Sequence, residues 1–233
     1  MEDETVRIVV TNDDGIDAPG LAVLEGIAAA LGDVVVVAPE SAQSGVGHRV
    51  TTGVAIAVTQ IAPKRFSVSG TPADCVRLAI KSLAATVDWL IAGINPGANL
   101  GSDIYNSGTV AAAREAAILG VPALAISQYI SKGGRIDWQA TGHHAGPVVT
   151  ALMRMPLPKG AYWNVNLPHP LSPGQHVAFR ICDPDPNPHA YGYLPAEGGY
   201  RYSGTIHERP RVAGMDVAVC FNDQRIAVSQ LHL

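Results

Sequence analysis

The first forty residues contain a strand, a polar turn, a helix and a second strand, and this order restricts the fold more than any other feature of the chain. Val6–Val10 is rich in β-branched residues and leads into the polar turn Asn12–Gly15. Pro19 opens a stretch with helical spacing, Leu21–Leu31, and Val34–Ala38 is a second buried strand. Two strands joined by one helix predict a parallel βαβ unit, with the first strand inside the sheet.

The alternation of strands and helices continues to about residue 127. The further predicted elements are strands at Phe66–Ser69, Trp89–Ile94 and Val121–Ser127, and helices at Cys75–Ala85 and Thr109–Leu119. Thr71 is the predicted N-terminal cap of the first of these helices. The pattern predicts an α/β fold with a Rossmann-like, doubly wound and mostly parallel sheet, in a core that spans residues 1–160.

The composition changes over residues 161–233, where prolines are frequent and only short strands are predicted. These strands are Tyr162–Leu167, Gly199–Ile206, Asp216–Asn222 and Ile226–Gln230. We expect a β-rich C-terminal region, in part a hairpin, that belongs to the same domain and contributes oligomer contacts. Its tyrosines are suited to stacking on a nucleobase, but packing on one face of a hairpin is the more common role of such a group: Tyr191, Tyr193, Tyr200 and Tyr202.

Charge and cysteine content exclude several classes of function. The 16 Lys and Arg residues against 20 Asp and Glu give a net charge of −4 without a basic block, which offers little attraction for a nucleic acid polymer. The three cysteines are scattered, which is typical of reduced thiols. The N-terminal residues Met1–Glu4 are acidic, where a signal peptide is basic, and the apolar runs are short. We therefore expect a cytoplasmic protein with no membrane partner.

Polar residues that follow the predicted strands are candidates for a functional site, because ligands of an open parallel sheet bind beyond the carboxyl ends of its strands. Asp13 and Asp14 follow the first strand, Ser44 follows the second, and Asn95 follows Trp89–Ile94. Adjacent carboxylates repel each other unless a cation or a proton lies between them, and oxygen donors suit Mg²⁺, Mn²⁺ or Ca²⁺. The alternative is an Asx turn in which the two aspartates cap the next helix.

A glycine-rich loop precedes the predicted helix Thr109–Leu119, where exposed backbone N–H groups favour a phosphate. The loop contains Asn99 and ends in the turn Ser107, Gly108 and Thr109. A helix N-terminus that is simply capped by Ser107 or Thr109 is the alternative interpretation. The loop is neither a Walker A motif nor G-x-G-x-x-G, so use of ATP or NAD has no motif to support it.

Taken together, five ordered blocks resemble the survival protein SurE family. The blocks are Val10–Ile16, Ala38-Pro39 followed by Ser44–His48, Gly70–Val76, Gly93–Gly101 and Ser107–Ala111. The resemblance covers residues 6 to about 127 closely and the rest more loosely. It implies a metal-dependent phosphatase that hydrolyses nucleoside 5′- and 3′-monophosphates, and short polyphosphates in addition. It also implies a Rossmann-like core and a dimer with exchanged C-terminal segments.

Residue by residue, the resemblance implies one divalent ion per subunit and a phosphate site. The implied metal ligands are Asp13, Asp14, Ser44 and Asn95, of which both aspartates and the asparagine are expected to be catalytic. Together with Asn99, the residues expected to contact phosphate are Ser107, Gly108 and Thr109. Family members usually continue into a further helix after the position of Val228-Ser229, and that helix embraces the partner subunit. The present sequence stops a few residues after this position. We therefore expect a homodimer or tetramer held by the hairpin at Tyr200–Ile206 rather than by an exchanged C-terminal segment.

Two other classes of protein stay open as alternatives. A non-catalytic phospho-receiver module also places two acidic residues after its first strand, but it needs an acceptor Asp and a Lys that neither Phe66–Gly70 nor Val121–Ser127 supplies. A nucleotide-sugar transferase needs a second Rossmann domain, for which only about 70 proline-rich residues remain. For hydrolysis, water and the Asp13 carboxylate are both open as the attacking group.

Overall fold

The computed structural model describes residues 5–172, 174–188, 191–204 and 206–233. The strands are β1 (Arg7–Thr11), β2 (Asp33–Pro39), β3 (Val58–Ala62), β4 (Arg65–Val68), β5 (Trp89–Pro96), β6 (Ala123–Gln128), β7 (Ala161–Leu167), β8 (Phe179–Ile181), β9 (Tyr191–Ala196), β10 (Gly199–Gly204) and β11 (Ile226–His232). The α-helices are α1 (Pro19–Ala29), α2 (Pro72–Leu78), α3 (Gly108–Ile118), α4 (Trp138–Met153) and α5 (Asp216–Phe221). Thr205, at the end of the predicted strand Gly199–Ile206, lies outside the described residues.

A nine-stranded sheet organises the chain and confirms the predicted α/β fold. Its strand order is β3-β4-β2-β1-β5-β6-β7-β11-β8, so β1 lies inside the sheet between β2 and β5. Every neighbouring pair from β4 to β7 is parallel, whereas β3 is antiparallel to β4 and β11 is antiparallel to β7. The sheet is therefore mostly parallel, and helices connect its central strands.

Helices cover both faces of the sheet because successive side chains of a strand point to opposite sides. In β1, Ile8 and Val10 join the apolar cluster formed with α1 and α4, whereas Val9 joins the cluster formed with α2 and α3. All three side chains are buried. With both faces covered, the carboxyl ends of the parallel strands form the edge at which a ligand can approach.

Two predicted elements differ from the structure. Thr71 caps α2 as predicted, with its hydroxyl accepting from the Asp74 N–H, but α2 ends at Leu78 and passes into a π-helical turn, Ala79–Leu83. The strand predicted at Asp216–Asn222 is wrong, because this segment forms helix α5. All six residues of α5 are buried, and a short unbroken apolar run such as Val217–Phe221 fits a buried strand as well as a buried helix.

The C-terminal region contributes both to the main sheet and to a separate hairpin. The predicted strands Tyr162–Leu167 and Ile226–Gln230 correspond to β7 and β11, which pair with each other inside the sheet. Strands β9 and β10 form a two-stranded antiparallel sheet, as the hairpin prediction requires. The division of the chain after residue 160 stays a prediction. No helix among the described residues is long and apolar enough to cross a membrane.

Candidate active site

The segments that follow β1, β2 and β5 meet in one cleft at the carboxyl edge of the sheet. The cleft has a volume of about 700 Å³. Its lining includes the four predicted metal ligands and two of the predicted phosphate contacts: Asp13, Asp14, Ser44, Asn95, Asn99 and Ser107. The other two predicted phosphate contacts, Gly108 and Thr109, are buried at the start of α3 beside Asp13. The structure thus brings all the predicted site residues into one region.

The turn after β1 leaves both aspartates free of a capping role. The Asn12 side chain closes the turn, since its Nδ2 donates to the Gly15 carbonyl at 2.8 Å and its Oδ1 accepts from the Gly15 N–H at 3.3 Å. Helix α1 begins after Ala18, whose side chain cannot accept a hydrogen bond. The Asx turn considered for Asp13 and Asp14 is therefore made by Asn12 instead.

Asp13 is held against the N-terminus of α3. Its Oδ1 accepts a hydrogen bond of 2.5 Å from the Thr109 hydroxyl. Burial raises the pKa of Asp13, and hydrogen bonds from Thr109 and from the Gly108 backbone lower it in part. A Cβ atom at Gly108 would lie 2.8 Å from Cβ of Asp13, so only glycine permits this approach. The anion at this helix N-terminus is thus the Asp13 carboxylate.

Asp14 has a buried carboxylate oxygen in the cleft, Oδ2, that lacks a hydrogen-bond partner among the described residues. Burial, and after it the negative charge of Asp13, raises the pKa of Asp14 from 3.8 to about 7. A buried carboxylate oxygen without a donor is unfavourable beside a second carboxylate, unless a proton or a cation compensates the charge. The pair therefore fits a divalent cation.

Two neutral side chains complete the possible ligand set. The pairing of β5 with β6 shifts between Ala92 and Asn95, an irregularity that redirects side chains at the end of a strand. Nδ2 of Asn95 donates to the Gly97 carbonyl at 2.7 Å, which leaves Oδ1 as its ligand atom. Ser44 is exposed on the loop after β2. Among the described residues, no group of three or more His, Cys, Asp or Glu side chains is placed to hold a metal ion. An ion bound by these four residues would be shared by carboxylates and neutral oxygens, the donors that Mg²⁺ and Mn²⁺ prefer.

The loop that carries Ser44 is tied to the site on two sides. On one side, the Gln43 N–H donates to the Asp13 carbonyl at 2.7 Å. On the other side, Nε2 of His48 lies 2.7 Å from Oε2 of Glu115, a buried residue of α3. Oε1 of Glu115 also accepts from Nε of Arg77 at 2.5 Å. Helix α3 therefore positions both Asp13 and the loop of Ser44.

Ser107 and Asn99 already have hydrogen-bond partners in the protein. The Ser107 hydroxyl accepts from the Val110 N–H and caps α3, as the alternative interpretation of this turn expected. Nδ2 of Asn99 donates to the Ser127 hydroxyl at 2.8 Å, and the Asn99 N–H donates to Asn166 at 2.7 Å. Both residues still line the cleft, so they reach a ligand from fixed positions.

Comparison with known proteins identifies the family. A profile described as survival protein SurE matches residues 8–187. The chain belongs to the SurE family. A protein of Synechocystis is 46% identical over 98% of this chain and 100% of its own length. A 5′-nucleotidase SurE of Myxococcus xanthus is 36% identical over 100% of this chain and 89% of its own. The crystal structure of the SurE protein from Aquifex aeolicus has a TM-score of 0.85 at 29% identity, over 97% of this chain and 93% of that one.

The cleft of this SurE protein also contains residues that sequence reasoning did not assign to the site. Asp103 lies in a 3₁₀ turn of the glycine-rich loop, and it lines the cleft with Asn106. Three tyrosines of the β9–β10 hairpin line it as well: Tyr191, Tyr193 and Tyr202. The sequence singled out these tyrosines, but it contains no signal that places the hairpin beside the two aspartates.

Proposed function

We propose that this SurE-family protein is a divalent-cation-dependent 5′-nucleotidase, which hydrolyses nucleoside monophosphates to a nucleoside and inorganic phosphate. The observation that carries the proposal is the buried, unpartnered Oδ2 of Asp14 beside Asp13 in an open cleft. The relatives from Myxococcus xanthus and Methylocella silvestris, the latter 44% identical over 70% of this chain, are named 5′-nucleotidases. Family membership also favours hydrolysis over a phospho-receiver or a sugar transferase.

The residues that would hold the cation offer four different oxygen donors. These are the carboxylates of Asp13 and Asp14, the hydroxyl of Ser44 and Oδ1 of Asn95. We propose Mg²⁺ or Mn²⁺ as the ion, with Ca²⁺ as the third choice. A bound divalent cation would neutralise negative charge on the transferring phosphoryl group.

The reaction adds one water molecule across the P–O ester bond. The water oxygen bonds to phosphorus, the ester P–O bond breaks, and the ester oxygen takes a proton to become the nucleoside hydroxyl. We favour water over Asp13 as the attacking group, because Asp13 is buried and its Oδ1 is already engaged by Thr109. Ser107 lines the cleft beside the α3 N-terminus, which Asp13 occupies, and the Ser107 hydroxyl can still donate to a phosphate oxygen.

The size of the cleft is compatible with a nucleotide. A volume of about 700 Å³ is within the range of about 300–1,000 Å³ typical of sites for small molecules. We extend the proposal to nucleoside 3′-monophosphates and to short polyphosphates, which the resemblance to the SurE family implies. A cytoplasmic homodimer or tetramer also remains part of the proposal.

A panel of phosphate esters tests the proposal. Inorganic phosphate release is measured from 5′- and 3′-nucleotides, polyphosphate and sugar phosphates, with and without chelator. We expect release from nucleotides to stop after metal removal and to return with Mg²⁺ or Mn²⁺. Asp14→Asn should lose most activity, whereas Asp17→Asn, an exposed control three residues away, should keep it. Undiminished turnover in excess chelator, or activity on sugar phosphates alone, would contradict the proposal.

A further inference from the structure

The β9–β10 hairpin gives the cleft an aromatic wall. Tyr191, Tyr193 and Tyr202 line the same cavity as Asp13 and Asp14. Tyr193 is paired with Tyr202 across the hairpin, and Tyr191 lies two residues before Tyr193 on the same face. The Tyr191 and Tyr202 rings are nearly parallel, with centroids 5.8 Å apart, and the Tyr193 ring stands almost perpendicular to both.

Buried hydrogen bonds hold the two ends of the hairpin at the rim of the cleft. Arg209, which follows β10, is only 3% exposed. Its guanidinium donates to the Leu100 carbonyl at 3.0 Å and to Oδ2 of Asp103 at 2.9 Å, beside the glycine-rich loop. The same guanidinium donates to the carbonyl of Asn187, which precedes β9, at 3.3 Å. One arginine thus joins both ends of the hairpin to the loop that lines the site.

Mutual packing does not account for the placement of these tyrosines. Tyr191, Tyr193 and Tyr202 remain 58%, 60% and 54% exposed, although each contacts the other two rings. A phosphate group beside Asp13 and Asp14 would fill only a small part of a cleft of about 700 Å³. The remaining volume is bounded by aromatic rings, which offer apolar faces to a flat group attached to the phosphate.

We propose that Tyr191, Tyr193 and Tyr202 form the nucleobase subsite, in which the base stacks on tyrosine rings while its phosphate lies at the two aspartates. This inference rests on the proposed function, and it makes the hairpin the element that selects nucleotides over other phosphate esters. Stacking is tolerant of base identity because every base has a π face. The site therefore prefers nucleotides to phosphates of non-aromatic alcohols and accepts all the common bases.

Tyrosine variants of the full-length chain test the subsite. For Tyr193→Ala and Tyr202→Ala, the measured quantity is the ratio of kcat/KM for AMP to kcat/KM for ribose 5-phosphate. We expect this ratio to fall about 5- to 150-fold, the effect of losing one stacked ring, whereas Tyr193→Phe should retain it. Leu194→Ala is the matched control, because Leu194 lies on the same hairpin, is 52% exposed, and is outside the cavity lining.

Two outcomes separate failure of the subsite from failure of the proposed function. If AMP is hydrolysed but the ratio is unchanged in both alanine variants, the subsite is refuted and the nucleotidase function stands. If the chain hydrolyses neither ester, the function fails, and adenosine binding measured by calorimetry decides the subsite alone. Weaker adenosine binding in Tyr193→Ala than in Tyr193→Phe would then support it, and equal binding would refute it.

Discussion

Replacement of Asp14 by Asn should stabilise the metal-free protein at neutral and alkaline pH. Oδ2 of Asp14 is buried without a hydrogen-bond donor, and the neighbouring Asp13 carries a second carboxylate. Ionisation of Asp14 in this position is unfavourable, so burial and the charge of Asp13 raise its pKa from 3.8 to about 7. An amide of the same size has no charge to desolvate, and we expect the variant to avoid this penalty.

The size and the sign of the effect follow from the pKa of Asp14. A rise from 3.8 to about 7 corresponds to at most about 4 kcal/mol, at 1.36 kcal/mol for each tenfold change. Because Asp14 is only partly buried, solvent screening reduces this to about 1–2 kcal/mol. Between these two pH values the folded state binds more protons than the unfolded state, so the free energy of unfolding of the wild type falls as the pH rises. This loss of unfolding free energy is absent below pH 3.8 and complete above about pH 7.

Thermal unfolding in the presence of chelator measures this difference. At pH 8 we expect the Tm of Asp14→Asn to exceed that of the wild type by about 2–8 °C, and the gap to close near pH 4. The exposed control Asp17→Asn should stay within about 0.5 kcal/mol of the wild type at both pH values. A Tm of Asp14→Asn at or below the wild-type value at pH 8 would refute the reasoning.

Three further predictions concern the supports of the site and the assembly. Gly108→Ala should lose about 1–3 kcal/mol of stability and most phosphatase activity, since the new Cβ would lie 2.8 Å from Cβ of Asp13. Gly26→Ala is the control, because there is open space around Gly26. Equal melting curves and activities for the two variants would contradict the prediction. Glu115→Gln should weaken Mg²⁺ binding in calorimetry and cost about 1–3 kcal/mol in unfolding, because it loses the negative charge that pairs with Arg77 and alters the contact with His48 that holds the loop of Ser44. An unchanged affinity would contradict this positioning role. Light scattering at micromolar concentration should give the mass of a dimer or tetramer, and a monomer mass would exclude the proposed assembly.

The fold was predictable where strands are buried on both faces. A strand such as β2 appears in the sequence as an unbroken apolar run, Val34–Ala38, and its ends are marked by Asp33 and Pro39. The same property makes α5 ambiguous, because five of the six buried residues of this helix, Val217–Phe221, also form an unbroken apolar run. The apolar run therefore indicated burial in both segments, from Val36 onward in β2 and throughout α5, but the predicted secondary structure is right only for β2.

The candidate site was predictable where it depends on strand ends and not where it depends on distant contacts. Asp13 and Asp14 follow β1, Asn95 lies at the carboxyl end of β5, and the carboxyl ends of parallel strands meet at one edge of a sheet. The hairpin is joined to the same edge through Arg209, whose hydrogen bonds to residues 100 and 103 span more than 100 positions of the chain. Nothing local in the sequence encodes that contact.

Asp13 occupies the N-terminus of α3, and this explains why a cation and a phosphate should bind together. Its N–H groups and the Thr109 hydroxyl are directed to Asp13, so an incoming phosphate meets two carboxylates rather than a free helix N-terminus. Without a cation, the negative charges of Asp13 and Asp14 repel the phosphate. With a cation bound, the two aspartates would hold the phosphate through that cation. Binding of each should therefore raise the affinity for the other by the same factor. Calorimetric titration of inorganic phosphate with and without Mg²⁺, and of Mg²⁺ with and without phosphate, measures both factors, and phosphate affinity independent of Mg²⁺ would show that the α3 N-terminus binds the anion directly.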